Sequence, residues 1–183
     1  MSDTRITTGV VRLSYAHIFH PLPETADIDA GKYTVTLLIP KTDTATVGRI
    51  REAIAAAEEA GVSSKWNGKR PKALRSCLRD GDTDKADEHP EYKGMYFISA
   101  KSNQAPLVID RNKNDILDET EIYSGCWARA SVNFFPYSAS GSNGVGCGLR
   151  AVQKWKDGEP LGGSRASADE FDDAGESDDD MLG

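Results

Sequence analysis

Chemistry on a substrate needs an activated nucleophile, a positioned acid–base pair or a set of metal ligands. Side chains able to supply these are thinly spread along this chain. His17 and His20 lie close enough to begin a metal site, but no third ligand accompanies them. Asp80, Asp82, Asp84 and Glu91 occupy the first, third, fifth and twelfth positions of a calcium loop, and Asp110, Asn112, Asn114 and Glu121 repeat that spacing. The sixth position, where the tight turn wants glycine, is Lys85 in one run and Asp115 in the other. Asx-rich turns explain both runs more simply. Cys77, Cys126 and Cys147 are odd in number and lack paired metal spacing, so reduced thiols are expected rather than disulfides or a zinc site. The expectation is a non-enzyme without metal or cofactor.

Binding chemistry is better represented. The run Tyr123 to Tyr137, YSGCWARASVNFFPY, reads as a strand with two unlike faces. Cys126, Ala128, Ala130, Val132 and Phe134 make a small apolar face suited to a close-packed interior. Trp127, Arg129, Ser131, Asn133, Phe135 and Tyr137 make the other. Aromatic rings interleaved with a cation and small polar groups suit single-stranded nucleic acid, whose bases stack on the rings while cations take the phosphates. Burial of the same aromatics under a second layer is the competing reading. Lys65 to Arg79 is the most basic segment: Lys65, Lys69, Arg70, Lys72, Arg75 and Arg79 surround Trp66 with no acidic residue among them. It can hold a phosphate chain and stack a base, or it can be a solvated loop and short amphipathic helix anchored by Leu74, Cys77 and Leu78.

These groups must be positioned by further strands. Thr8 to Phe19 and Lys32 to Ile39 alternate, the second with Tyr33, Val35, Leu37 and Ile39 inward. Tyr92 to Lys101 sets Tyr96, Ile98 and Ala100 against Lys93, Phe97, Ser99 and Lys101. Pro106 to Asp110 is a short strand, and Gly144 to Lys156 a glycine-interrupted one with Arg150, Lys154 and Lys156 on one side, as the bends of a small barrel require. One helix is expected from Thr42-Asp43-Thr44 caps, a stripe of Val47, Ile50, Ala53, Ile54 and Ala57, and a stop at Gly61.

The chain of 183 residues carries a formal charge of −7. Eight acidic and no basic residues lie between Ala166 and Gly183, leaving 22 basic against 21 acidic groups, net +1, in residues 1–165. The acidity is local, and a near-neutral body can carry a basic groove. The tail, DEFDDAGESDDDMLG, cannot bury enough apolar surface to fold. No apolar run approaches the length of a membrane span and no basic-then-apolar leader follows Met1, so a soluble protein is expected.

Taken together, KYTVTLLIPK, the strand YSGCWARASVNFFPY, the glycine-rich loop, GVGCGLRAVQKWKDGEPLGG and the acidic tail resemble a family of bacteriophage single-stranded-DNA-binding proteins built on an OB fold. The resemblance implies a mainly β protein with one or two helices: an OB-fold-like small barrel over residues 1–163 and a disordered acidic C-terminal tail over 164–183. It implies sequence-tolerant binding of single strands during phage DNA replication, recombination or repair in the host-cell cytoplasm, with no chemical step. Strand alternation and the interleaving of rings with cations, rather than the resemblance, give the expected stackers, Trp127, Phe135, Tyr137 and Phe97, with Trp66 from its loop, and the expected phosphate partners, Arg129, Lys101, Lys69, Arg70, Lys72 and Arg150. The tail can compete with DNA or dock replication or recombination proteins, although it ends Asp180-Met181-Leu182-Gly183 without the terminal phenylalanine of bacterial single-strand-binding proteins. Weak self-association stays open. The alternative is a phage interaction or structural protein using the same aromatic face against another protein.

Overall fold

Alternation along the longest two strands sets the architecture. The computed structural model describes residues 3–161 apart from positions 86 and 140. In chain order it contains β1 (Arg5–Thr7), β2 (Val11–His17), β3 (Tyr33–Pro40), α1 (Thr44–Ser64), β4 (Arg79–Asp80), α2 (Gly81–Asp84), β5 (Met95–Ser102), β6 (Leu107–Ile109), β7 (Trp127–Ala139) and β8 (Ser142–Lys156), with short 3-10 turns at Pro90–Tyr92 and Glu119–Glu121. In β7 the small face is interior: Ala128, Ala130, Val132 and Phe134 are buried, while Trp127, Arg129, Ser131 and Asn133 are half-buried and Phe135 is exposed. β8 pairs with β7 along its whole length, from Trp127↔Lys156 to Ala139↔Ser142.

Five strands close on themselves. β7 pairs β2, β2 pairs β3, β3 pairs β5 and β8 returns to β7, all antiparallel. The circuit is completed by a parallel contact between β5 and β8 at the single register pair Lys101↔Gly148. This strand order, with one parallel seam, is the partly open Greek-key barrel of the expected OB type. β1 and β6 extend the sheet at β7 and β8 respectively. Because one register pair cannot hold a seam several residues long, the segment 75–80 crosses the gap. Arg75 bridges Gly144 of β8, and β4 pairs Arg79 with Phe97 and Asp80 with Tyr96 of β5.

α1 begins where expected: the Asp43 carboxylate accepts the Thr46 N–H at 3.1 Å, and Val47, Ile50, Ala53 and Ala57 are buried against the barrel strands. Burial of each large aliphatic side chain contributes roughly 1.5–3 kcal/mol. Gly61 does not stop the helix, which runs on to Ser64. It is a contact point instead. A Cβ there would lie 2.6 Å from Pro136 Cβ and 2.7 Å from the Trp66 ring, so only hydrogen lets the helix end close onto β7. The segment 65–78 is not helical; Cys77 and Leu78 tuck against the core, in keeping with their anchoring role. The expected acidic tail, 164–183, lies outside the described residues.

Candidate nucleic-acid interface

At the thin β5–β8 seam the surface opens into a groove of about 730 Å³. Its floor comes from outward positions of β5, where Phe97, Ser99 and Lys101 alternate with buried Ile98 and Ala100. One wall is the hairpin end carrying Phe135 and Tyr137; the other is the crossing segment with Arg75 and Arg79; Lys32 stands at the mouth. Each feature follows from strand alternation: Thr34 of β3 faces Lys101, Thr36 faces Ser99 and Leu38 faces Phe97. No Asp or Glu lines the groove.

Cations are held in different ways. Lys101 Nζ lies 2.9 Å from Asp29, and Arg79 is 3.3 Å from Asp84 with its guanidinium 5.0 Å from the Phe97 ring centre. Lys32 and Arg75 form no ion pair among the described residues. Next along the chain from Arg79, Lys41 Nζ reaches Asp80 and Asp82 at 2.7 Å each and holds both carboxyls below their usual range. The two groove thiols bring no charge. Burial pushes Cys77 up to about 12 and Cys147 well above its ordinary value, so both stay neutral at physiological pH.

Phe135 is the open aromatic of the groove, 40% exposed. The outer end of its ring lies over Gly146, where a Cβ would come within 2.7 Å of Cζ. Glycine at this strand position is therefore a seat for the ring. A Gly146→Val substitution is expected to tilt Phe135 out of place. Since valine suits a strand, the melting temperature should change little while oligonucleotide affinity drops several-fold; titration and thermal melting of the same variant check this, and unchanged affinity would mean that the seat does not matter.

Of the residues expected in a binding site, the fold brings Phe97, Lys101, Phe135 and Tyr137 together. Phe97 is only 4% exposed, packed edge-on to Tyr92 at 5.1 Å, so it is a floor more than a free stacking face. Trp127 and Arg129 share the outward face of β7 but not the groove, since eight residues of strand set Trp127 about 26 Å from Phe135. Trp127 sits between Arg12 and Lys156, at 5.8 and 5.5 Å, and Arg129 donates to the Thr8 carbonyl at 3.0 Å.

Trp66, expected as a loop stacker, is 6% exposed: its ring packs on Gly61 and its Nε1–H donates to the Tyr137 carbonyl at 3.2 Å. The indole is drawn inward because α1 ends beside the β7 hairpin and offers it an apolar slot. Lys69, Arg70 and Lys72 lie outside the groove, and Arg70 pairs with Glu58 at 3.0 Å. Arg150 is exposed in a bulge of β8, also outside it. Missing from the expected set are Lys32, Arg75, Arg79 and Ser99. Their signal is present in the sequence: Lys32 and Ser99 lie on outward strand faces, and Arg75 and Arg79 end the basic segment.

Comparisons with known proteins point one way. Residues 4–182 match the family model described as Enterobacter phage Enc34, ssDNA-binding protein. Protein p50 of Acyrthosiphon pisum secondary endosymbiont phage 1 is 35% identical over 180 residues, covering 92% of this chain and 93% of the relative. The structure of the single-stranded DNA-binding protein from bacteriophage Enc34 in complex with ssDNA superposes with a TM-score of 0.75 at 29% identity, over 87% of this chain and 90% of the other. The single-stranded DNA-binding protein gp2.5 of bacteriophage T7 shares the fold, with a TM-score of 0.63 at 19% identity, over 93% and 96% of the two chains.

Proposed function

We propose, from the premise that the chain belongs to the family of the Enterobacter phage Enc34 ssDNA-binding protein, that it binds single-stranded DNA with little sequence preference in the β5–β8 groove during phage DNA replication, recombination or repair. The observation that carries the placement is the acid-free groove in which Phe135 and Tyr137 face Lys32, Arg75, Arg79 and Lys101. Bases stack on Phe135 and Tyr137 over the Phe97 floor, and the four cations displace counterions from the phosphates, making affinity salt-sensitive. Binding involves no chemical step. Strand exposure during replication places the protein in the host-cell cytoplasm, and no helix among the described residues is long and apolar enough to cross a membrane. Titration of labelled mixed-sequence oligonucleotides and the matching duplex, at low and moderate salt, tests the reading. Preference for the single strand, weakened by salt and without hydrolysis, is expected. Equal affinity for duplex would refute stacking as the basis, because paired bases offer no face.

The acidic segment 166–183 competes with DNA for the same cations in this reading. Support comes from its root. Arg12 Nη2 donates to the Glu159 carbonyl at 2.6 Å, the Leu161 N–H donates to the Ser124 carbonyl at 2.8 Å, and Leu161 packs against the Leu38, Tyr92 and Phe97 cluster. The last described residues thus cross the outer surface toward the strand that carries Phe97. Deleting residues 166–183 should tighten single-strand binding, most at low salt where screening is weakest. Unchanged or weaker binding by the truncated chain would remove the competing role.

A further inference from the structure

We infer that a nucleic-acid strand longer than the groove continues over the outward face of β1, β7, β8 and β6, making that face a second phosphate-binding surface; this rests on the single-strand reading above. The register builds the face row by row. Arg5, Asn133 and Gly148 stand side by side across β1, β7 and β8. Thr7, Ser131, Ala151 and Leu107 form the next row, and Arg129, Gln153 and Ile109 the one after. Beyond them the Arg111 guanidinium lies 4.1 Å from the centre of the Trp155 ring, a cation held flat on an aromatic. Arg150, exposed between buried Leu149 and Val152, projects from the bulge on the same side.

Three properties of the face select its occupant. It carries four arginines, Arg5, Arg129, Arg150 and Arg111, none paired with a carboxylate among the described residues. No Asp or Glu stands in these rows, and the carboxylates at the edges have partners of their own: Asp3 accepts the Arg5 N–H at 3.0 Å, Asp110 the Asn112 and Asn114 N–H groups at 2.8 and 3.0 Å, Asp118 the Thr120 N–H at 3.0 Å, and Glu121 holds Lys154 at 2.8 Å. A surface whose central rows hold arginine and no carboxylate repels a second copy of itself and complements a polyanion, and guanidinium groups suit phosphate oxygens in particular. In the rows between Arg5 and Arg129 on β7 and β8 the side chains are small, Asn133, Ser131, Gly148 and Ala151, so a backbone can approach closely there, while the exposed Leu107 bounds the face at β6. The face is also continuous with the groove: Phe135 and Gly146, which line it, are the neighbouring row to Asn133 and Gly148.

The test uses the full chain and labelled oligo-dT of about 6 and about 16 nucleotides, within the range of site sizes of single OB folds. The variant is Arg5→Gln with Arg150→Gln, since Arg129 also holds the Thr8 carbonyl. Arg49→Gln with Lys93→Gln, positions outside both surfaces, is the charge-matched control. The expected result is short-oligonucleotide affinity within about twofold of the native chain and long-oligonucleotide affinity about tenfold weaker at low salt. The log–log salt slope for the long strand should become shallower by about 1.4, roughly 0.7 for each of the two phosphates no longer neutralised, and the control should reproduce none of this. Equal weakening for both lengths, or none for either, would overturn the second surface; no weakening together with altered self-association would assign the face to protein contact instead. Failure of the native chain to bind either oligonucleotide would overturn the parent reading, whereas a native chain that binds, a Phe135→Ala variant that does not and an unaffected arginine variant would overturn only this inference.

Discussion

Replacing Phe135 by alanine is expected to weaken single-strand binding roughly 5- to 150-fold while leaving the folded state nearly as stable as before. The magnitude follows from about 1–3 kcal/mol per stacked base, with 1.4 kcal/mol for each factor of ten. Stability should hold because the ring is 40% exposed and rests on Gly146, so little buried area is removed. Equilibrium titration with oligo-dT and thermal melting of one preparation give both numbers. A variant that melts normally and binds normally would take Phe135 out of the site. A variant that melts far lower would show that the ring is part of the core, contrary to its exposure. Duplex binding through phosphates alone should be much less affected, which separates lost stacking from general damage.

Trp66→Ala should do the reverse. The indole fills the slot between the end of α1 and β7 and donates to the Tyr137 carbonyl, so its removal leaves a cavity and an unpartnered acceptor. Large-to-small changes of a buried aromatic cost about 3–5 kcal/mol, and each kcal/mol shifts melting by about 2–4 °C in a chain of this size. The expected drop is therefore roughly 6–20 °C by circular dichroism. Trp66→Phe, which refills most of the slot but cannot donate, should recover most of it. A melting temperature within about 2 °C of the native chain for Trp66→Ala would mean that the ring is dispensable for packing and would restore it as a candidate surface contact.

The different fates of the aromatics show what local patterning reveals. Alternation in β7 is legible because one face is small and apolar throughout, from Cys126 to Phe134, and such a run has a single sensible way to face. Phe97 and Lys101 read outward for the same reason, and the helix stripe and Asp43 cap are equally local signals. Distance is not legible. Trp127 and Phe135 share a face, yet thirteen residues of strand span about 40 Å, so one face holds more than one site. Trp66 is misread because its neighbours are cations: local composition says surface, while the slot that buries it comes from Pro136 and Gly61, the first of them far away in sequence. The groove itself depends on the single β5–β8 register pair and the crossing of segment 75–80, neither of which leaves a periodic trace. Arg75 and Arg79 become groove residues only through that crossing.

The central claim is that single-stranded DNA lies in the β5–β8 groove. Ultraviolet crosslinking of a short oligo-dT to the full chain, followed by mass mapping of the modified peptides, tests it most directly, because stacked thymine and aromatic rings are in position to react. Adducts on Phe135 and Tyr137, reduced by added salt and by unlabelled competitor, are the predicted result. Adducts confined to the peptide of Trp127 or to the 65–72 loop, with the groove aromatics unmodified, would contradict it.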